Sequence, residues 1–253
     1  MPSHRGRPST AYAHCVLRII DARTGEPTAA APVRRGLTRV QAHASADDAG
    51  ELRVLLVADL LVRALELGGT PVLATLAGDR HRPRLRAAAT ALGVRPFEDG
   101  QDLGGQVVHV LEAGRGAPEG IRVEVAAVRD PRAFDRVLAE DPAALRLTLL
   151  SHHHRDPVRL DTDMPREAHD TLARWRRAVA RWARHPSRPV PDEVRDRLRT
   201  AWEADLDVPE VLRVLRWVER AGPDLADGAR FETYAYADRL LGLDLTRDLG
   251  APA

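Results

Sequence analysis

Between residues 37 and 128 short strand-like runs alternate with longer helix-like ones, and after Asp130 only the helical pattern remains. "LTRVQAHAS" (37–45) alternates weakly and reads as a strand. "GELRVLLVADLLVRALELGG" places Leu52, Leu55, Leu56, Leu60, Val62 and Leu67 near helical spacing, with Gly68 as its stop. "TPVLATLAG" (70–78) reads as a buried strand and "RPRLRAAATALG" (82–93) as a second helix. This alternation predicts a parallel sheet with crossover connections. "QVVHVLEA" (106–113) and "IRVEVAAV" (121–128) add two strands, and "VLRII" (16–20) a short earlier one. Downstream, "DPRAFDRVLAE" and "DPAALRLTLLSHHH" each open on an Asp-Pro helix start. In 166–185, Ala168, Leu172, Trp175, Val179 and Trp182 form one apolar stripe. Three further helical segments follow. The expected architecture is an abbreviated Rossmann-like parallel α/β domain over 15–130, a helical-bundle domain over 131–253, and a flexible tail over 1–14.

Composition excludes several chemistries. The chain of 253 residues has one cysteine, Cys15, so no internal disulfide and no multi-cysteine zinc site can form. No apolar run is long enough to span a bilayer, and "MPSHRGRPSTAYAHC" has no signal-peptide hydrophobic segment, so a cytoplasmic protein is expected. Every basic residue is arginine, which removes the P-loop lysine, the Schiff-base lysine and any lysine phosphate clamp. A net charge of +1 gives no global pull toward nucleic acid.

The "HHH" at 152–154 invites a metal reading. Adjacent residues on a helix point about 100° apart, so three such imidazoles do not converge on one ion. A helix C-terminus, where imidazoles meet the last carbonyls, fits better, and no metal is expected. No glycine-rich phosphate loop or nucleophile elbow is present. Asp47 and Asp48 are a possible carboxylate pair, against the commoner reading of a solvated loop. On the helix at 166–185, Arg174, Arg177, Arg181 and Arg184 lie opposite the apolar stripe and are the best candidates for phosphate contact. The commoner role of such a face is solubility, with pairing to acids such as Asp170.

Taken in order, these segments resemble one family. "EDPAALRLTLLSHHHRDPVRLD" is similar to the stretch that follows the KMSKS loop in cysteinyl-tRNA synthetases and the related mycothiol-pathway cysteine ligases. "VRDPRAFDRVL" just upstream, "LRTAWEADLDVPEVLRVLRWVERA" downstream, "LRIIDARTGEPTAAAPVRRGLTRV" at the front and "VADLLVRALELGGTPVLATLAGD" after it resemble the corresponding family segments. The resemblance covers most of the chain and implies a class I synthetase-like fold, with the histidines as part of the stem helices.

The departures are chemical. The family holds ATP with an H-I-G-H tetrapeptide at a helix start and with the KMSKS lysines; here that start follows "QAHASADDAGELR", and lysine is absent. Those cations offset charge developing on pyrophosphate, and arginine replaces them only with different geometry. The family's zinc takes thiolate and imidazole ligands; His43 falls at its first cysteine, and the stretch carrying the others is missing between about 100 and 128. The leading expectation is a catalytically defective protein without cofactor that binds tRNA, a synthetase or a biosynthetic enzyme. The alternative is a small ligase or transferase reusing the nucleotide cleft, with ATP as cofactor and His43, Asp47, Asp48 and Arg53 on the rim. A purely structural protein is a third possibility. Membrane contact is not expected, and oligomeric state is open.

Overall fold

The structure is a computed structural model and describes residues 16–31, 37–77, 82–100, 107–116, 119–129, 131–161 and 163–250. The expected tail over 1–14 and Cys15 lie outside the described residues.

The N-terminal half is built around a parallel sheet of five strands: β3 (Thr38–His43), β4 (Val72–Ala77), β5 (Glu98–Asp99), β6 (Val107–Glu112) and β7 (Ile121–Val125). Their order is β5-β4-β3-β6-β7, all parallel. β3 is therefore the turning point: the chain builds outward to one side through β4 and β5, then crosses to β6 and β7. In open α/β sheets ligands bind where the order reverses, outside the strands' C-terminal ends. Here that point lies between His43, which ends β3, and Glu112, which ends β6.

The expected strand at 16–20 forms, but not in this sheet. β1 (Arg18–Ile20) pairs antiparallel with β2 (Pro27–Ala29) as a separate hairpin. Its turn reaches the outer strand: Ala22 N–H donates to the Arg122 carbonyl at 2.9 Å, and Asp21 Oδ1 accepts from Arg122 N–H at 3.1 Å. The return from β6 to β7 is only eight residues, 113–120, where parallel strands usually need a dozen or more. Such a return leaves no room for a helix. It fits because β7 is five residues long, about 17 Å, within the reach of eight extended residues.

α1 (Ala49–Leu67) starts at Asp48, whose side chain accepts from Glu51 N–H at 3.0 Å, and ends at Gly68. It is buried nearly all round, including Arg53 and Asp59, because the sheet covers one side and the last helix packs on another. Burying each Leu or Val contributes about 1.5–3 kcal/mol, so α1 anchors the core. α2 (Pro83–Ala91) joins β4 to β5.

α3 (Pro131–Glu140), α4 (Pro142–Leu150), α5 (Met164–Trp182), α6 (Asp192–Glu203), α7 (Val208–Arg220) and α8 (Asp227–Leu241) form the helical half, with β8 (Val128–Arg129) and β9 (Val158–Arg159) as a short parallel pair. The apolar stripe of α5 is buried as its spacing predicts: Trp175 and Trp182 pack edge-on against Tyr234 of α8. Two of the polar atoms there have partners. Trp175 Nε1 donates to Glu219 Oε2 at 3.0 Å and the Tyr234 hydroxyl to the Leu215 carbonyl at 2.9 Å. One contiguous hydrophobic cluster runs from Leu17 to Leu245. Among the described residues no helix is long and apolar enough to cross a membrane.

Candidate functional site

The switch point between β3 and β6 gathers two imidazoles, four carboxylates and one guanidinium. His43 Nε2 lies 2.8 Å from His109 Nδ1, and His109 Nε2 lies 3.2 Å from the Glu119 carbonyl. A carbonyl only accepts, so His109 Nε2 carries the proton and its Nδ1 accepts from His43 Nε2–H. That network assigns His43 Nδ1 as a bare acceptor. Burial first, and then His109, pushes the His43 imidazole down to about 4, and burial likewise lowers His109. Both rings are neutral at neutral pH. Gly120 makes their packing possible. It has φ +145°, and a Cβ there would sit 2.9 Å from His109 Cδ2 and 2.8 Å from the Val107 carbonyl.

The helix start beside this pair reads Asp48-Ala49-Gly50-Glu51. Free N–H groups at a helix N-terminus attract anions, and a nucleotide phosphate would sit there. In this chain the protein's own carboxylates take that place. Asp48 caps the helix, and Glu112 rests on Gly50 so closely that a Cβ at Gly50 would lie 2.9 Å from Glu112 Oε1. Glu51 is fully buried; its Oε1 meets Arg115 Nη1 at 2.6 Å and the Ser45 hydroxyl at 3.2 Å, while its Oε2 has no hydrogen-bond partner. Arg115 also contacts Ser45 Oγ and lies 3.6 Å from Glu112 Oε2. One guanidinium thus serves two carboxylates, with Asp47 and Asp48 exposed nearby.

The residues do not fit the groups that the family resemblance implies. A triphosphate at this helix start would displace Glu112 and meet Glu51 and Asp48, with Arg115 already engaged. A zinc ion of the thiolate type has no cysteine among the described residues, and His43 and His109 spend their facing nitrogens on each other. Sequence reasoning placed His43, Asp47 and Asp48 at this rim, and the structure brings them there. Arg53 lies elsewhere: it is 1% exposed, and its guanidinium donates to the carbonyls of Ala126 at 2.6 Å, Asp156 at 2.8 Å and His153 at 2.9 Å. Burial lowers it to about 10, still charged at neutral pH. His109, Glu51, Glu112 and Arg115 were missed. Asp48-x-x-Glu51 carries the spacing of a capping box and was the one available signal; nothing local marks Glu112 or Arg115.

Arg174, Arg177 and Arg181 on α5 are exposed, and so is Arg184, which lies in the turn past the helix end at Trp182 rather than on the helix. Arg174 pairs with Glu219 at 2.7 Å rather than with Asp170, and Arg181 sits 5.9 Å from the centre of the Trp182 ring. No ion pair engages Arg177, Arg181 or Arg184 among the described residues.

No family model matches the chain. Curated proteins do. A ligase from Streptomyces scabiei named L-cysteine:1D-myo-inositol 2-amino-2-deoxy-alpha-D-glucopyranoside ligase is 38% identical over 110 residues, 42% of this chain and 25% of its own length. Ligases of the same name from Saccharomonospora viridis and Acidothermus cellulolyticus are 36% and 39% identical over 111 and 106 residues, again 42% of this chain and 26% and 25% of theirs. The chain therefore spans about a quarter of the length of the curated relatives it matches. The resemblance to the mycothiol-pathway cysteine ligases, class I synthetase-like enzymes, holds over about 42% of the chain.

Proposed function

We propose that this chain is a synthetase-like protein that does not activate an amino acid and acts in the cytoplasm by binding. The observation that carries this reading is the helix start of α1, filled by Glu112, Glu51 and Asp48 where a nucleotide phosphate would need cations. Adenylate formation pushes negative charge onto pyrophosphate, and stabilising it takes preorganised positive groups. This site offers carboxylates, in a chain without lysine. The expected result is no cysteine-dependent ATP–pyrophosphate exchange above a no-protein control. Exchange that survives removal of contaminating synthetase, and disappears in Glu51→Gln, overturns the proposal. It would favour the small ligase or transferase, which the bare His43 Nδ1 and the unpartnered Glu51 Oε2 at the same switch point support.

We further propose RNA, in the first instance tRNA, as the partner, contacted through Arg177, Arg181 and Arg184. These guanidiniums are exposed and unpaired among the described residues, two on α5 and one in the turn just after it, whereas the chain as a whole is near neutral. Affinity should fall steeply between about 50 and 200 mM salt, each phosphate contact adding about 0.7–0.9 to the logarithmic slope. Arg177→Gln with Arg181→Gln should lower that slope by about 1.4–1.8 and weaken all RNA sequences alike, because phosphate contacts position without reading bases. No RNA association in a low-salt titration would point to a protein partner instead.

A further inference from the structure

α4 ends at Leu150, with Ser151 as its C-cap, so the three histidines do not share the helix on which the expectation of no metal rested. His152 stays with the helix end, its Nδ1 3.0 Å from the Thr148 carbonyl. His153 and His154 follow in a turn that sets their ring centres 4.3 Å apart with planes at 36°. Both approach a residue 51 or more positions away: His153 Nε2 is 3.8 Å from Asp205 Oδ2, and His154 Nε2 is 3.8 Å from Asp205 Oδ1.

Two further observations separate this trio from an ordinary polar junction. His154 is 6% exposed, yet its Nδ1 is buried without a partner and its Nε2 has only the 3.8 Å approach to Asp205. An imidazole buried with so little hydrogen bonding costs about 1–3 kcal/mol. Asp205 is also held in a costly backbone state, φ +54°, followed by Leu206 at φ +55°. Two consecutive left-handed non-glycine residues persist only where surroundings over-determine them, and such strain clusters at ligand clamps. Here the clamp is visible: Asp205 N–H donates to the Arg18 carbonyl at 2.7 Å, and Asp205 Oδ1 accepts from Ile20 N–H at 2.8 Å.

We propose that His153, His154 and Asp205 form a site for a divalent transition-metal ion of the zinc class, distinct from the strand-end cleft. One ligand atom from each lies within 4.8 Å of the others. Tetrahedral zinc with bonds of about 2.0–2.1 Å sets its ligands about 3.4 Å apart, so the two 3.8 Å contacts close by a few tenths of an ångström, and the third pair, within 4.8 Å, by at most about 1.4 Å. Two imidazoles and one carboxylate leave a fourth position for water, as in three-ligand zinc sites.

The neighbours set its strength. Binding replaces the 3.0 Å contact of His153 Nε2 with the Asp205 carbonyl and the 3.3 Å contact of Arg155 N–H with His153 Nδ1. Arg155 Nη1, 3.6 Å from Asp205 Oδ2 on a half-exposed side chain, has to swing outward. Arg53, on the His153 carbonyl, stays and repels the ion. These costs weaken the site relative to closed structural zinc.

The test uses the full chain, metal-free and without a histidine tag. Titration with Co²⁺ should show one equivalent bound with a tetrahedral ligand-field spectrum, displaced by Zn²⁺, and Zn²⁺ should raise the melting temperature. His153→Gln and Asp205→Asn, which keep side-chain size and the Ile20 hydrogen bond, should each weaken Co²⁺ at least tenfold and abolish the Zn²⁺-dependent shift while melting normally without metal. His43→Gln should change neither readout. Absence of stoichiometric binding at millimolar metal, retention of binding in both variants, or loss of binding in His43→Gln would each overturn the site.

Discussion

Asp59→Asn should destabilise the fold by about 3–5 kcal/mol, the usual cost of removing one partner from a buried ion pair. Asp59 lies inside α1, 1% exposed, and its two oxygens face three guanidiniums: Arg63 and Arg95 at 2.8 Å and Arg146 at 3.4 Å. Arg146, itself 2% exposed, also donates to the carbonyls of Leu241 at 2.7 Å and Leu92 at 3.0 Å, tying α4 to α8 and to the end of α2. Burial already lowers Arg146 to about 10, and Asp59 opposes that shift. Asparagine keeps the shape and removes the charge. For a chain of this size the loss amounts to a melting temperature lower by about 6–20 °C. Adding Arg146→Met should not restore it, since methionine leaves the Leu241 and Leu92 carbonyls unmatched at about 1–3 kcal/mol each, but the two losses should be less than additive because the side chains touch. Thermal and urea unfolding of the two variants check this; a single-variant loss under about 1 kcal/mol would show that solvent, not Asp59, carries the arginines.

Arg53→Met should cost about 3 kcal/mol or more for a different reason. Here the guanidinium forms no ion pair among the described residues; it satisfies three main-chain carbonyls from two segments, 126 and 153–156. Each buried acceptor left unmatched costs about 1–3 kcal/mol. Lysine should not rescue, because a single ammonium does not span the positions that a planar fork reaches. Hydrogen exchange supplies the local signature: protection should fall first at Ala126, whose N–H donates to the His154 carbonyl at 2.8 Å, and at Val158, bonded to the Ala127 carbonyl at 3.1 Å. Global loss of stability with unchanged relative protection there would argue against the staple.

The parallel sheet and the helices were legible because hydrophobic period reports which face of an element is buried, and that is a local property. The buried stripe of α5 is the clearest case. The rest depended on partners far away in sequence. Sequence alone places Arg53 on the cleft rim and does not single out Asp59, because the carbonyls and guanidiniums that justify burying them come from other segments. β1 carries β-branched residues as a sheet strand would, yet its pairing with β2 follows from the turn at 21–26, not from its own composition. The histidine run reads as a helix C-terminus, and His152 meets the Thr148 carbonyl there, but the ring directions expected of it hold only where the helix continues through all three. Its end at Leu150 changes which rings meet. At the strand ends, His43 was legible by analogy with a family position, while Glu112 and Arg115 were not, because what they do depends on Gly50 across the cleft.

The hairpin turn on β7 has a consequence for assembly. An outer strand with free N–H and C=O groups is a template on which another chain can polymerise. On this sheet the β7 side is engaged at Arg122 by Asp21 and Ala22, and the opposite side ends in β5, two residues long. Neither offers the long flat rail that intermolecular β-augmentation requires. Whatever docks on this molecule is thereby directed to read side chains on its helices and loops, rather than to copy its backbone.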